Sequence, residues 1–337
     1  MRRPRIPVLT AGAALLVIGM IGGAAVGASP KTKIEGVPAF SHVFVIIGEN
    51  TELGQINKTN SPYIMGAFMA QAAWLTNYFA LTHFSEANYV GMMSGQFTHC
   101  QQFDGSAASC HQNVDNLFHQ LDGPGITWQS WMESMPSACY LTSTGSAKDL
   151  NHYGAKHNPA IFFDNVEGAG GVWSDTNKST ECLTQDIPAG GTGPNDMSTF
   201  NSALTGGAVA QFNFVVPNEC EDAHDNCPPQ GNAVSQFDAF LAREIPLIQT
   251  YAATYDPNTV ILVTFDEGTS NRGLGHGHQF VGGGNVLFAA LGAPVVPGVY
   301  GASYDHYSLL RTLEDGFGLG YLGGAADAAA INTIWTP

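Results

Sequence analysis

The sequence predicts an α/β protein with a mainly parallel central sheet flanked by helices. Three observations predict it: short apolar runs rich in β-branched residues, segments of helical hydrophobic period between them, and a polar or acidic cluster where three of the runs end. The first run, residues 42–47, is apolar almost throughout and predicts a buried strand, with Gly48-Glu49-Asn50 following at once. Residues 62–75 open with Pro62, carry apolar residues at helical spacing and predict a helix. Residues 212–216 predict a second strand, ended by Pro217-Asn218. Residues 233–250 predict a helix through Phe237, Phe240, Leu241, Ile245 and Ile248, with a kink or break at Pro246. Residues 259–265 predict a third strand, ended by Asp266-Glu267-Gly268, and residues 285–291 a fourth. Residues 306–317 predict the closing helix, and the Gly- and Ser-rich stretches 165–171 and 189–208 predict long surface loops. The length suits about two domains. No linker, charge run or repeat divides the chain, however, and clusters at both ends must converge, so residues 29–337 read as a single domain.

In an open α/β sheet the ligand crevice lies outside the carboxyl ends of the strands. That rule gathers Glu49, Asn50, Asn218, Asp266 and Glu267 at one crevice. Asp, Asn and Gly also favour turns after strands on their own account. Two acidic clusters leaving two buried runs are harder to assign to turn chemistry alone, since neighbouring carboxylates repel unless a cation lies between them.

The chain begins with Arg2, Arg3 and Arg5, an apolar run and the small residues Val26-Gly27-Ala28, the layout of a secretory signal peptide. A retained membrane anchor is the alternative, as the run is nearly long enough to span a bilayer. Without residues 1–28 the chain has nine basic against 28 acidic residues, a net charge of −19. Such a surface repels polyanions and excludes nucleic acid as a partner; no obligatory protein partner is evident either. With so few cations, any phosphate chemistry must rely on metal, histidine and backbone N–H groups. The even count of six cysteines in an exported chain points to disulfides. The close pairs Cys100/Cys110 and Cys220/Cys227 suggest local loops, which leaves Cys139 with Cys182. The expected location is secreted, periplasmic or at the cell surface.

Ser85 stands in His83-Phe84-Ser85-Glu86-Ala87-Asn88-Tyr89 and reads as a helix N-cap with Asn88 in the first turn. The same position has a chemical use. A helix N-terminus offers free N–H groups to phosphate oxygens, and a nearby metal would turn the serine into a nucleophile.

At this point the chain resembles the phosphoesterase family of bacterial and fungal acid phosphatases and phospholipases C, within the alkaline phosphatase superfamily. The resemblance rests on six blocks in order: Glu49-Asn50 after a strand; His83-x-Ser85-x-x-Asn88-Tyr89 with Ser94-Gly95; Lys156-His157-Asn158-Pro159; Pro217-Asn218 through Asp222-Ala223-His224-Asp225; Thr264-Phe265-Asp266-Glu267-Gly268; and His306-Tyr307-Ser308-Leu309-Leu310-Arg311-Thr312. It departs from the family at Phe84 and Ala87, where prolines are usual, at Phe265 for tryptophan, and at Thr51-Glu52, where phospholipase-type members more often have Arg-Ser-Phe-Asp.

The resemblance implies an alkaline-phosphatase-like fold, with Ser85 as nucleophile and Glu49, Asn50, Ser85, Asp266 and Glu267 holding a divalent metal ion. Calcium, magnesium, manganese and zinc all suit oxygen donors of this kind. It further implies that His157 and His224 contact the phosphoryl group or protonate the leaving oxygen; a metal-ligand or structural role is the alternative for each. Asn88 and Asn218 are expected to face the substrate. His276 and His278 alternate at strand period and read equally as second-metal ligands or as solvent-facing. His306 reads as a cap or support; Lys156 and Arg311 could touch phosphate, though both are more often ordinary surface or packing residues. The expected activity is an acid-phosphatase-type phosphomonoesterase acting on small phosphate esters through a phosphoserine. A phospholipase C acting on lipid head groups is the alternative, and a non-catalytic surface protein on the same scaffold the alternative of another class. No Cys/Ser-x-Pro-x-Arg sulfatase motif and no Gly-x-Ser-x-Gly elbow occurs.

Overall fold

The first strand, β1 (Val43–Gly48), is apolar on both faces because both faces are covered, and every residue in it is buried. The structure is a computed structural model that describes residue 1 and residues 33–97, 100, 103–147, 149–168, 177–275 and 282–337. Apart from Met1, the leader read in residues 1–28 lies outside the described residues.

The other strands are β2 (Ala73–Phe79), β3 (Trp128–Met132), β4 (Asp186–Pro188), β5 (Phe212–Val216), β6 (Val260–Phe265), β7 (Phe288–Leu291) and β8 (Gly298–Asp305). They form one sheet in the order β4-β3-β5-β1-β6-β7-β2-β8. β1 runs parallel to both neighbours, pairing Val43 with Phe212 and with Val260. Among these strands β7 alone is reversed, antiparallel to β6 and β2.

Alternation along the strands decides which helix meets which residue. Phe44 packs on Phe200 and Tyr251, and Phe265 packs on Phe237 with ring centroids 4.9 Å apart. Helices Ser198–Gly206 and Ala233–Thr254 therefore cover the face to which Phe44, Gly48 and Phe265 point. Phe212 and Phe214 point the other way, to Phe317 and Tyr89, so helices Ser85–Ser94 and His306–Phe317 cover the opposite face. Each fully buried phenylalanine of this kind contributes about 1.5–3 kcal/mol. Continuing the alternation one residue past each strand turns Glu49 and Asp266 toward the Ser85 helix.

The structure corrects four local expectations. Residues 62–75 are not one helix: only Ile64–Phe68 is helical, and Ala73–Phe79 is β2. Trp74-Leu75-Thr76-Asn77-Tyr78-Phe79 favours a strand, and pairing with β7 and β8 overrides the helical spacing. The long helix runs unbroken through Pro246. The stretch 189–208 contains the helix Ser198–Gly206, so it is not a loop throughout. Pairing also extends to β3, β4 and β8, which the apolar runs did not indicate.

The three expected disulfides are present: Cys100–Cys110, Cys139–Cys182 and Cys220–Cys227. Among the described residues no helix is long and apolar enough to cross a membrane.

Glu314, on the helix His306–Phe317, is buried, and burial raises its pKa from 4.5 to about 8. The native state therefore holds a proton there that the unfolded chain releases above about pH 4.5. Stability contributed by this group falls as pH rises from about 4.5 through 8. Glu314→Gln should flatten that fall and raise the urea midpoint at pH 9, as read in unfolding curves across the range. An unchanged slope would count against the assignment.

Candidate active site

Three strand ends converge. Gly48 closes β1 where nothing larger fits, since a Cβ there would sit 2.5 Å from a Phe265 ring carbon. Asn50 then takes a left-handed backbone (φ 51°) and its N–H donates to Asp266 Oδ1 at 3.0 Å. The Thr51 N–H donates to the Glu267 carbonyl at 3.0 Å, and the Glu49 N–H to the Asp222 carbonyl at 2.6 Å. Glu49, Asp222 and Asp266 are each fully buried.

Ser85 is the first residue of its helix; Phe84 occupies the N-cap position, so the expected serine cap is corrected. Freed from capping, Ser85 Oγ donates to Glu49 Oε2 at 3.1 Å. Tyr89, one turn on, donates its hydroxyl to Glu49 Oε1. His157 is wedged between two acids, Nε2 3.4 Å from Glu49 Oε1 and Nδ1 3.1 Å from Asp222 Oδ2, and stacks on Tyr89. Glu49, Asp222 and His157 thus present three ligand-type atoms within 4.8 Å of one another.

The electrostatics match this crowding. Burial, then the charges of Asp266 and Asp222, raises the Glu49 carboxyl well above its usual range. Burial does the same for Asp222, and burial with Glu267 raises Asp266 to about 7. Burial, reinforced by Lys156 and His224, lowers the His157 pKa well below its usual value. Asp266 Oδ2, Asp222 Oδ2 and both His157 nitrogens are buried without a hydrogen-bond partner among the described residues. Such a set can accept a cation.

The remaining expected site residues are distributed as follows. Glu267 lies beside Asp266, and its carboxylate meets His83 Nδ1. Asn88 is fully engaged by backbone: Oδ1 accepts from the Leu81 and Thr82 N–H groups, and Nδ2 donates to the Thr82 and Phe84 carbonyls. Asn218 likewise accepts from the Cys220 and Glu221 N–H groups and donates to Ser134 Oγ. Both amides hold the loops that carry the site. His224 adjoins His157, with ring centroids 5.5 Å apart, and its backbone N–H donates to Asp222 Oδ1 at 2.8 Å. His306 supports the site from below: Nε2 meets the Asp266 carbonyl at 2.7 Å, and burial lowers the ring to about 4. Arg311 pairs with Glu35 and caps the Ala325 and Ala326 carbonyls away from the site. His276 and His278 lie outside the described residues.

Asp222 and Tyr89 were not singled out from the sequence. The available signal was their place in the Asp222-Ala223-His224-Asp225 and Asn88-Tyr89 blocks. The positive φ of Ala223 (82°) makes the turn that folds His224 back over Asp222.

A mainly parallel sheet with acids at its strand ends and a serine at a helix start defines a class, and the comparisons agree. The phosphoesterase family's sequence model matches residues 48–320, and the chain belongs to that family; it is a phosphoric ester hydrolase. It is 28% identical to a phosphatidylinositol-3-phosphatase of Mycobacterium tuberculosis, over 96% of this chain and 94% of that one. It is 30% identical to a probable acid phosphatase of Kluyveromyces lactis, over 87% of this chain, and 27% identical to a phosphate-repressible acid phosphatase of Penicillium chrysogenum, over 88%. The chain spans 61% and 63% of the lengths of these two fungal relatives. In fold it is similar to a Vibrio parahaemolyticus protein of the alkaline phosphatase superfamily (TM-score 0.52, 12% identity, 88% of this chain and 72% of that one). It is similarly related to murine ectonucleotide pyrophosphatase/phosphodiesterase 5 (TM-score 0.52, 11% identity, 88% of this chain and 100% of that one).

Proposed function

We propose that the chain is an exported, cation-dependent phosphomonoesterase of the acid-phosphatase type, with Ser85 as nucleophile. The observation that carries this reading is the Ser85 hydroxyl on Glu49 Oε2, at the first turn of a helix and against the buried acids at the ends of β1 and β6. The residues fit a divalent cation, because Asp266 Oδ2 and Asp222 Oδ2 are buried with no hydrogen bond among the described residues and several carboxylates crowd one another. Glu49, Asn50, Ser85, Asp266 and Glu267 would hold it, with Asp222 and His157 flanking Glu49. Calcium, magnesium, manganese and zinc are the candidates. When bound, the cation would favour the serine alkoxide and offset charge on the phosphoryl oxygens.

Glu49 Oε2 holds the Ser85 hydroxyl in place for attack on phosphorus. Ser85 Oγ gives up its proton to solvent as its bond to phosphorus forms and the P–O bond to the leaving oxygen breaks; the leaving oxygen takes a proton from water, and water then hydrolyses the phosphoserine to Ser85 and inorganic phosphate. The N-terminal end of the Ser85 helix favours the negative charge that builds there. His157 and His224 stand beside these groups and complete the polar wall. The relatives' names are those of phosphatases, which supports monoester cleavage. A second reading, a lipid phosphoester, is favoured by Phe84 (47% exposed) next to Ser85 and by Phe103 (49% exposed), whose loop is stitched to Glu86.

The test is turnover of p-nitrophenyl phosphate, bis(p-nitrophenyl) phosphate and phosphatidylcholine by the exported protein, after chelation and then with each metal restored. Monoester turnover that chelation abolishes and one metal restores is expected. Full turnover in a rigorously metal-free sample would overturn the reading.

A further inference from the structure

The sequence reading gave phosphate binding mainly to metal, histidine and backbone, because the chain has so few cations, and left Lys156 between a phosphate contact and a surface residue. One lysine nevertheless reaches the site. Lys156 Nζ lies 3.0 Å from His224 Nε2 and 3.2 Å from Asp104 Oδ2. An ammonium group has three N–H donors and no acceptor. His224 Nε2 must therefore accept in this contact, which puts the ring proton on Nδ1, facing Asp225 Oδ1 at 3.0 Å. The other Asp225 oxygen meets His152 Nε2 at 2.9 Å, and His152 Nδ1 is fixed by the Asp149 carbonyl at 2.6 Å. Glu219 closes the chain, 2.8 Å from His152 Nε2.

This chain of contacts commits both His224 nitrogens and leaves no N–H on that ring for a leaving oxygen. Lys156 still has one: among the described residues two of its three donors are taken, and its side chain is 22% exposed. The Lys156 charge also acts on both Glu49 and Asp222. Burial alone would lower the Lys156 pKa, but Asp104, Glu49 and Glu219 outweigh it and hold the ammonium charged. The neighbouring Gly154 permits the close packing. A Cβ there would sit 2.5 Å from Glu219 Oε1 and 2.9 Å from His157 Nδ1.

We propose that Lys156 Nζ binds a non-bridging phosphoryl oxygen of the substrate, and that His224 is a positioning residue that aims Lys156. This rests on the phosphoester reading above, so the first measurement needs no turnover. Binding of inorganic phosphate to the metal-loaded, full-length Ser85→Ala protein is followed by calorimetry, alone and with Lys156→Met or Lys156→Arg added. A charge-assisted hydrogen bond predicts that Lys156→Met weakens phosphate about 10- to 100-fold. Lys156→Arg should keep most of the affinity, and metal content should not change. In the Ser85 enzyme, His224→Asn should lower kcat/KM by one common factor for p-nitrophenyl phosphate and glycerol 2-phosphate, whose leaving groups differ in their need for a proton. It should add little to Lys156→Met. Phosphate binding unaltered by Lys156→Met overturns the assignment. A His224→Asn loss far larger for the alkyl ester makes His224 a general acid and overturns its positioning role. If the Ser85→Ala parent binds no phosphate at all, the underlying phosphoester reading fails and this assignment falls with it.

Discussion

Ser85→Ala is expected to lower kcat on a phosphomonoester on the order of 10⁴- to 10⁶-fold, the loss seen when a covalent nucleophile is removed from a site that acts as a unit. The fold should be undisturbed. Ser85 does not cap its helix, and its hydroxyl makes one described hydrogen bond, to Glu49. Alanine suits a helix interior better than serine does. The wild type, quenched in acid during turnover, should carry a phosphate on Ser85 that mass spectrometry of the peptide locates. The variant should carry none. Near-normal turnover in the variant, or phosphate trapped on another side chain, would make an activated water the nucleophile and leave Ser85 a structural residue.

Asp266→Asn should separate two quantities that usually move together. The amide keeps the volume and an oxygen for the Asn50 N–H, so the strand-end geometry survives. It removes a buried acid, itself raised to about 7, whose charge above that pH acts on Glu49 and Asp222. In chelator, the variant should therefore melt higher than the wild type, because like-charge repulsion has been relieved. Its metal content should fall, and kcat with it by about a thousandfold, equivalent to about 4 kcal/mol of transition-state stabilisation. Calorimetry in chelator and elemental analysis after dialysis read the two effects. A variant that melts lower yet keeps its metal would remove Asp266 from the ligand set.

Much of the site was legible because a buried parallel strand is apolar throughout, so the first polar residue after it marks the strand's end. Glu49 and Asp266 announce themselves in this way. Alternation then dictates that they face the Ser85 helix, although the sequence alone does not say which helix covers that face. Asp222 and His157 were less visible, since they come from loops whose placement depends on turns such as the left-handed Ala223. Asn88 and Asn218 carried the right chemistry in the right blocks, and only the contacts reveal that Asn88 is held by backbone and Asn218 by backbone and Ser134. β2 was hidden by an overlap of periods. Residues 64, 65, 68, 69 and 72 repeat at helical spacing directly before the strand, and a window spanning both reads as one helix. β8 was hidden for the opposite reason. It is an edge strand with glycines and exposed positions along most of its length, so no apolar run marks it. Lys156 looked like a surface residue because its partners, Asp104 and His224, lie 52 and 68 positions away.

The position of β1 in the sheet also affects the order in which the molecule can be made. It is the first of these strands to be synthesised and lies between two of the later ones, β5 and β6. Val43 waits for Phe212 on one side and Val260 on the other. Until then Val43-Phe44-Val45-Ile46-Ile47 is an unpaired, uncharged, β-prone ribbon, the kind of segment that seeks the same segment on another chain. Nor can the acid after it meet its counterparts before ribosomal synthesis has passed residue 266. Folding is accordingly governed by distant contacts and is slow. A nascent chain of this protein therefore carries that ribbon without its strand partners for most of the time its synthesis takes.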